Sequence, residues 1–293
     1  MRAGILPGLL SLVILGHNRA SISALCLRSL LRVAFRPLEI IFVNNGSTDR
    51  TRAILQLFAD HAAGTGIDFQ VIHLERNGGS IGPRNLALSR CRGEWIALVD
   101  NDVIVRSVRV FERLVGVLAD HSDVGIVAPK FVYAAPPFRI QSAGGGITCE
   151  GDCYLVGRGE DRDSPEYNHV ATVPWVLSAC MVMSARLSQR IGPLDETFHP
   201  TSFEDVDYCF RVRATGKEVL YVPDVEAYHI ENATTGSART LNIHAATRRN
   251  QRIFSRKWRH MFPAEPSIRD LNRTHVTEPR VPLWDLAHLP VLP

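Results

Sequence analysis

Asp100 and Asp102 flank Asn101 directly after the apolar run Trp95–Val99. In extended backbone, residues two apart point to the same side, so both carboxylates can face one cation. Oxygen donors of this kind suit Mg²⁺ or Mn²⁺, and Mg²⁺ is held by one or two carboxylates together with substrate phosphates. An Asp-x-Asp alone describes many solvated turns; here a strand with a buried pattern delivers it to an edge. A second acidic cluster, Phe203-Glu204-Asp205-Val206-Asp207, opens a segment whose Phe203, Val206 and Phe210 recur at helical spacing. Acids in a first helical turn match the macrodipole, which accounts for Asp207. The adjacent pair Glu204 and Asp205 also suits a general base that the dipole keeps ionised. His229 closes the apolar stretch that starts at Val225 and, taken singly, reads as a strand-end histidine.

Two further features carry open readings. Arg248, Arg249, Arg252, Arg256, Lys257 and Arg259 form a run without acids, in which Arg249, Arg252, Arg256 and Arg259 share a helical face. That pattern fits a solvated basic helix, a contact to a diphosphate, or docking on anionic lipid. Trp175 offers either a stacking face for a sugar or simple core burial.

These groups need a scaffold, and the first half of the chain supplies one. Apolar runs at Ser11–Leu15, Glu39–Val43, Phe69–Leu74, Trp95–Val99 and Val124–Ala128 read as strands. Helical patterns fall between them, including Ile22, Cys26, Ser29 and Leu30, then Ile54, Leu55 and Phe58. Strands alternating with helices predict an α/β fold with a mostly parallel sheet flanked by helices. Ligands in such sheets sit beyond the carboxyl ends of the strands, where Gly16–Arg19, Asn44–Asp49 and Asp100–Asp102 lie. Asn44–Asp49 is predicted to turn and cap the next helix. Residues 134–172 are glycine-rich and charged and read as a long irregular excursion with short strands. Val173–Met183, Val219–Val222 and Val225–His229 read as strands, and Phe203–Val212 and Arg248–Trp258 as helices. The proline-dense stretch 263–293 is predicted to form a tail without regular structure.

Composition narrows the class. With 45% hydrophobic and 22% charged residues among 293, the chain is globular, which excludes disorder, collagen and coiled coil. A net charge of +3 demands no nucleic-acid partner. Six cysteines are too sparse for a disulfide scaffold and lie mostly in apolar runs, the setting of a reduced buried thiol. Cys149 and Cys153 form at most half a zinc site, since no second pair follows. Arg2 and the apolar stretch Ala3–Leu15 imitate a secretory signal, but no small-residue cleavage box follows and the pattern downstream needs a first strand. No stretch reaches the ~20 apolar residues of a membrane span. The expectation is a cytoplasmic protein, with peripheral contact to the inner face of the membrane left open.

In order along roughly residues 10–258, the chain resembles the family 2 glycosyltransferases of GT-A fold. The matching pieces are Ser-Leu-Val-Ile-Leu-Gly-His-Asn-Arg (11–19), Phe-Val-Asn-Asn-Gly-Ser-Thr-Asp (42–49), Asn-Gly-Gly with Pro-Arg-Asn (77–79, 83–85) and Ala-Leu-Val-Asp-Asn-Asp (97–102). They continue with Pro-Trp-Val-Leu-Ser-Ala-Cys-Met (174–181), Gly-Pro-Leu-Asp-Glu-Thr-Phe (192–198), Glu-Asp-Val-Asp-Tyr-Cys-Phe-Arg (204–211) and Tyr-His (228–229). The spacing is most similar to rhamnosyltransferase-like members. The resemblance implies one GT-A domain over 1–262, with a nucleotide-binding half at about 10–130 and an acceptor half at about 131–262. It also implies a nucleotide-sugar donor, Mn²⁺ or Mg²⁺, inversion at the anomeric carbon, and a glycan or lipid-linked acceptor. By position, Asp100 and Asp102 match the metal and diphosphate motif, His229 a further metal ligand, and Asp205 with Glu204 the catalytic base. Asn44, Asn77 and Arg84 match positions around the nucleobase and ribose.

The chain departs from the family twice. Asn44 stands where an Asp usually accepts the N3–H of uracil or thymine, and its amide accepts without charge. Gly16-His17-Asn18 replaces a Thr-Tyr-Asn type sequence. Both predict an altered preference for the base. Two rival functions share the scaffold: a sugar-1-phosphate nucleotidylyltransferase, which needs a longer glycine-rich basic loop than Gly16–Arg19, and a non-catalytic nucleotide-sugar or glycan-binding protein.

Overall fold

The computed structural model describes residues 4–230 and 243–264; the predicted proline-rich tail beyond residue 264 lies outside them. The chain opens with β1 (Leu6–Gly16), α1 (Ala20–Leu30), β2 (Leu38–Asn45), α2 (Thr51–Ala62), β3 (Ile67–Leu74), α3 (Ile81–Leu88) and β4 (Gly93–Asp100). It continues through β5 (Val103–Val105), α4 (Val110–Asp120), β6 (Val124–Val132), β7 (Ile140–Ser142), β8 (Gly145–Ile147), β9 (Cys153–Leu155) and β10 (Ala171–Thr172). The remaining elements are β11 (Cys180–Ser184), α5 (Ala185–Ile191), α6 (Glu204–Arg213), β12 (Glu218–His229) and α7 (Ile243–Trp258).

The main sheet runs β10-β12-β6-β11-β4-β1-β2-β3, with β5 on β12 and β7 on β6. Strands β3, β2, β1 and β4 are parallel to their neighbours, and so are β6 and β12. β11 enters antiparallel between β4 and β6. The central strands are apolar on both faces because both faces are covered. Leu12, Ile14, Ile40, Phe42, Ala97 and Val99 face one layer, which Leu27 of α1, Leu55 of α2 and Leu114 of α4 complete. Their alternates Val13, Ile41, Val43, Ile96 and Leu98 face the other, with Ile81 of α3, Leu187 of α5, Phe210 of α6 and Phe254 of α7. Among the described residues, no helix is long and apolar enough to cross a membrane.

The structure corrects several predicted boundaries. The stretch 173–183 is not one strand: Cys180–Ser184 alone joins the sheet's centre. Val219–Val222 and Val225–His229 are one strand, with a break in register between Val222 and Glu226. The helix predicted from Arg248 begins at Ile243. The start of α2 is capped from further out than a capping residue usually sits, because the Asp49 Oδ1 accepts the Thr51 N–H at 3.0 Å. The same carboxylate's Oδ2 accepts the Ala20 N–H at 3.0 Å, so one side chain fixes two helix starts.

Candidate active site

β4 ends level with the end of β1 and the start of antiparallel β11, and the acids emerge there. The Asp100 N–H is held by the Ala179 carbonyl at 2.9 Å. Asn101 turns inward, and its amide donates to the Ser23 hydroxyl of α1 at 2.7 Å. A Cβ on Gly16 would lie 2.6 Å from the Phe42 ring and 3.2 Å from the Asn101 amide, so only glycine lets β1 end this close. The short strand β5 pairs with β12 so that His229 lies opposite Val103, and the Ile230 N–H donates to the Asp102 carbonyl at 3.0 Å. This crossing brings in a residue 127 positions away. One ligand atom each from Asp100, Asp102 and His229 lies within 4.8 Å of the others.

These three side chains fit a divalent cation. The Asp102 Oδ1 is buried and accepts no hydrogen bond, and the His229 Nε2 stands 3.5 Å from it. Burial pushes the Asp102 carboxyl up, and His229 only partly opposes it. Gln141, fully buried on β7, grips the histidine from behind. Its amide donates to the His229 carbonyl at 3.2 Å, and its Oε1 lies 2.9 Å from the Nδ1. An oxygen there requires the proton on Nδ1, which leaves the Nε2 lone pair aimed at the carboxylates. Two carboxylates and one imidazole form a donor set that accepts Mn²⁺ readily.

Arg84, on α3 and 4% exposed, connects this group to the second acidic cluster. One guanidinium nitrogen pairs with Asp100 and another lies 3.3 Å from Glu204. Burial works against its charge, and Asp100 and Glu204 more than compensate. The Glu204 Oε1 also accepts from the Ser80 hydroxyl at 2.7 Å. Its neighbour Asp205 is half-buried and takes backbone donors on both oxygens, from Ser178 at 3.4 Å and Val206 at 2.8 Å. Burial, then the charge of Glu204, pushes the Asp205 carboxyl up to about 7. α6 starts at Glu204, and Ser202 and Phe203 before it hold positive φ of 80° and 72°, a conformation uncommon for residues with side chains. The turn before them is anchored twice. The Ser80 N–H donates to the Pro200 carbonyl at 2.7 Å, and the Asn250 amide of α7 donates to the carbonyls of Phe198, Thr201 and Ser202 at 2.6–2.9 Å. Gly79 permits the approach, since a Cβ there would stand 2.6 Å from the Pro200 oxygen.

Asn44 and Asn77 occupy a separate corner. Asn44 ends β2 beside His73 of β3; its amide donates to the His73 Nδ1 at 3.1 Å, and its Oδ1 accepts the Ser47 N–H at 3.2 Å. The Asn77 Oδ1 accepts from the Asn45 amide at 3.0 Å and the Gly79 N–H at 2.9 Å, so it shapes its own loop. Trp175 is a core residue, buried on Gly145 with its indole N–H donating to the Gly146 carbonyl at 2.8 Å. Asp207 is structural as well, paired with Arg211, Lys257 and the Trp258 indole. The six cysteines are free thiols. Sequence reasoning passed over Gln141, Ser80, Ser178 and Asn250. Of these, only Ser178 lay inside a quoted motif.

Known proteins resemble the chain in both sequence and fold. A family model described as glycosyl transferase family 2 matches residues 11–158. The y4gI protein of Sinorhizobium fredii is 30% identical over 88% of this chain and 28% of its own length. A pre-mycofactocin glycosyltransferase of Mycobacterium tuberculosis is 30% identical over 66% of this chain and 37% of its own. The chain therefore spans only 28% to 37% of the length of these relatives. Among solved structures, a mannosyltransferase of Pyrobaculum calidifontis in complex with GDP-Man and Mn²⁺ superimposes with a TM-score of 0.57. It is 18% identical and covers 80% of this chain and 59% of its own.

Proposed function

The chain belongs to glycosyl transferase family 2, and from that premise we propose that it moves a sugar from a nucleotide-sugar donor to a hydroxyl of a glycan or lipid-linked acceptor, with inversion. The observation that supports the reading is the Asp100–Arg84–Glu204 bridge, which links the Asp100, Asp102 and His229 group to the neighbour of Asp205, whose carboxyl is raised. Asp100, Asp102 and His229 would hold Mn²⁺ or Mg²⁺. Bound there, the ion supplies Lewis-acid stabilisation of the charge that grows on the leaving diphosphate.

The chain's own residues then divide the work. Asp205, in its ionised form, accepts the proton of the acceptor hydroxyl as that oxygen bonds to the anomeric carbon. The glycosyl–phosphate bond breaks on the opposite face, and its electron pair leaves with the nucleoside diphosphate. Glu204 keeps Asp205 basic through its charge and is itself held by Ser80 and Arg84. Gln141 orients His229. Asn44 and Asn77 stand at the donor corner, where the amide of Asn44, paired with His73, takes the place of a carboxylate.

A panel of UDP-, GDP- and TDP-sugars, assayed for released nucleoside diphosphate, tests the reading. We expect release with at least one donor in Mn²⁺ and none in excess chelator. Release of pyrophosphate instead would make the chain a nucleotidylyltransferase. Stabilisation by a donor without turnover, with or without acceptor glycans, would make it a binding protein.

A further inference from the structure

We propose that the exposed face of α7 docks the protein on an anionic lipid bilayer. The helix and the turn after it, residues 243–264, contain no Asp or Glu. At 3.6 residues per turn, Arg248, Arg252 and Arg256 stack one turn apart on a single arc, with Arg249 at its border, and all are exposed. Arg259 and His260 extend the exposed basic surface beyond the end of the helix. Asn250, Phe254 and Trp258 lie on the opposite side and are buried. The basic arc therefore points away from the rest of the described residues.

The cations of α7 fall into two sets. Arg249 donates to the Thr197 and His199 carbonyls, and Lys257 pairs with Asp195 and Asp207. These hold the helix on the domain. Arg248, Arg252, Arg256 and Arg259 have no ion-pair or hydrogen-bond partner among the described residues, so structural work does not explain them. The arc ends at a polar edge, where Gln251 donates to Asp152 at 2.6 Å.

Its chemistry selects the partner. Single-stranded nucleic acid is bound by basic grooves interleaved with aromatic platforms, and this arc carries only arginines and the small Ala245. A flat row of guanidinium groups matches a surface of lipid phosphates, which needs charge and no base reading. A diphosphate bound at the strand ends would meet the Arg84 side of the domain, not a face directed to solvent.

Co-sedimentation of the full chain with vesicles tests the proposal. Vesicles of phosphatidylglycerol and phosphatidylcholine in equal parts should bind it, and pure phosphatidylcholine vesicles should not. Each arginine near such a surface is worth about fivefold in partitioning, so R248Q/R252Q/R256Q should weaken binding on the order of 100-fold. Raising salt to about 1 M, where the screening length is ~3 Å, should release the wild type. The triple variant should keep wild-type far-ultraviolet dichroism and Mn²⁺ affinity, because the replaced side chains are exposed and make no ion pair or hydrogen bond among the described residues. A control removes the same charge elsewhere by replacing the exposed Arg90, Arg186 and Arg190 with Gln. Equal losses in the control would overturn the assignment to α7. No binding to the anionic vesicles would overturn it outright, as would capture by heparin or single-stranded DNA without vesicle binding. None of these outcomes depends on sugar transfer, so this proposal and the catalytic reading stand or fall separately.

Discussion

Arg84 touches one acidic group at the end of β4 and another at the start of α6, and the two are solvated in opposite ways. At β4 the Asp102 Oδ1 is buried and takes no hydrogen bond, while His229 presents a nitrogen lone pair beside it. At α6 both oxygens of Asp205 receive backbone N–H groups, and burial beside Glu204 lifts its carboxyl to about 7. In the first, Arg84 reaches Asp100, while the Asp102 Oδ1 is met by no donor among the described residues. In the second, Asp205 has a backbone donor on each oxygen, although the Glu204 Oε2 beside it is buried without one. Under the proposed function, what surrounds Asp102 and Asp205 would suit the first to coordination and the second to proton transfer.

The strongest way to break this division is Asp102→Ala. Cation binding, followed by the paramagnetic resonance of Mn²⁺, and sugar transfer should both fall to background. Thermal unfolding should stay near wild type, because the removed Oδ1 gives up no hydrogen bond. Undiminished Mn²⁺ affinity would dissolve the distinction between the two groups. Asp205→Asn should reduce transfer by about 10²–10⁴ while leaving Mn²⁺ affinity within a few fold. A variant that loses both would place Asp205 on the coordinating side. Glu204→Gln belongs with this test: it removes the charge next to Asp205, so the pH profile should move to lower pH.

A smaller effect is expected from Gln141→Leu, which frees the His229 ring without touching either acid. Partners behind a ligand of this kind are worth about 10–100-fold in metal affinity, and titration with Mn²⁺ would read that loss directly. Unchanged affinity would mean that His229 is oriented by its strand alone. The smallest effect needs no substitution. Asp205 must be ionised to accept a proton, and its carboxyl is raised, so the active form is lost as pH falls through about 7. Transfer should drop about tenfold from pH 8 to pH 6. A flat profile over that range, with chemistry limiting, would remove Asp205 as the base.

Legibility in the sequence followed the distance over which contacts act. β1, β2, β3 and β4 carry their own apolar pattern and alternate with helices, so their order could be read residue by residue. Asp100 and Asp102 were visible for the same reason, since two positions apart on a strand is a local relation. β11 was not visible as an antiparallel insertion, because nothing in Cys180–Ser184 distinguishes it from a parallel strand buried on both faces. Gln141 was invisible in a stronger sense. It lies 88 residues from His229, inside a glycine-rich stretch that gives no periodicity. Its partner is specified by the pairing of β7 with β6, next to which β12 runs. Trp175 shows the converse, a conspicuous residue whose surroundings make it ordinary core.

The amide of Asn250 has a mechanical consequence. A single nitrogen collects three carbonyls of the 198–202 turn, and Arg249 beside it collects two more from Thr197 and His199. The turn is therefore clamped to one rigid rod rather than braced by many weak struts. Its far end leads within two residues into Glu204, so there is almost no slack between clamp and acidic pair. A push on the outer side of α7 is therefore passed through these bonds to the turn and on to the carboxylates.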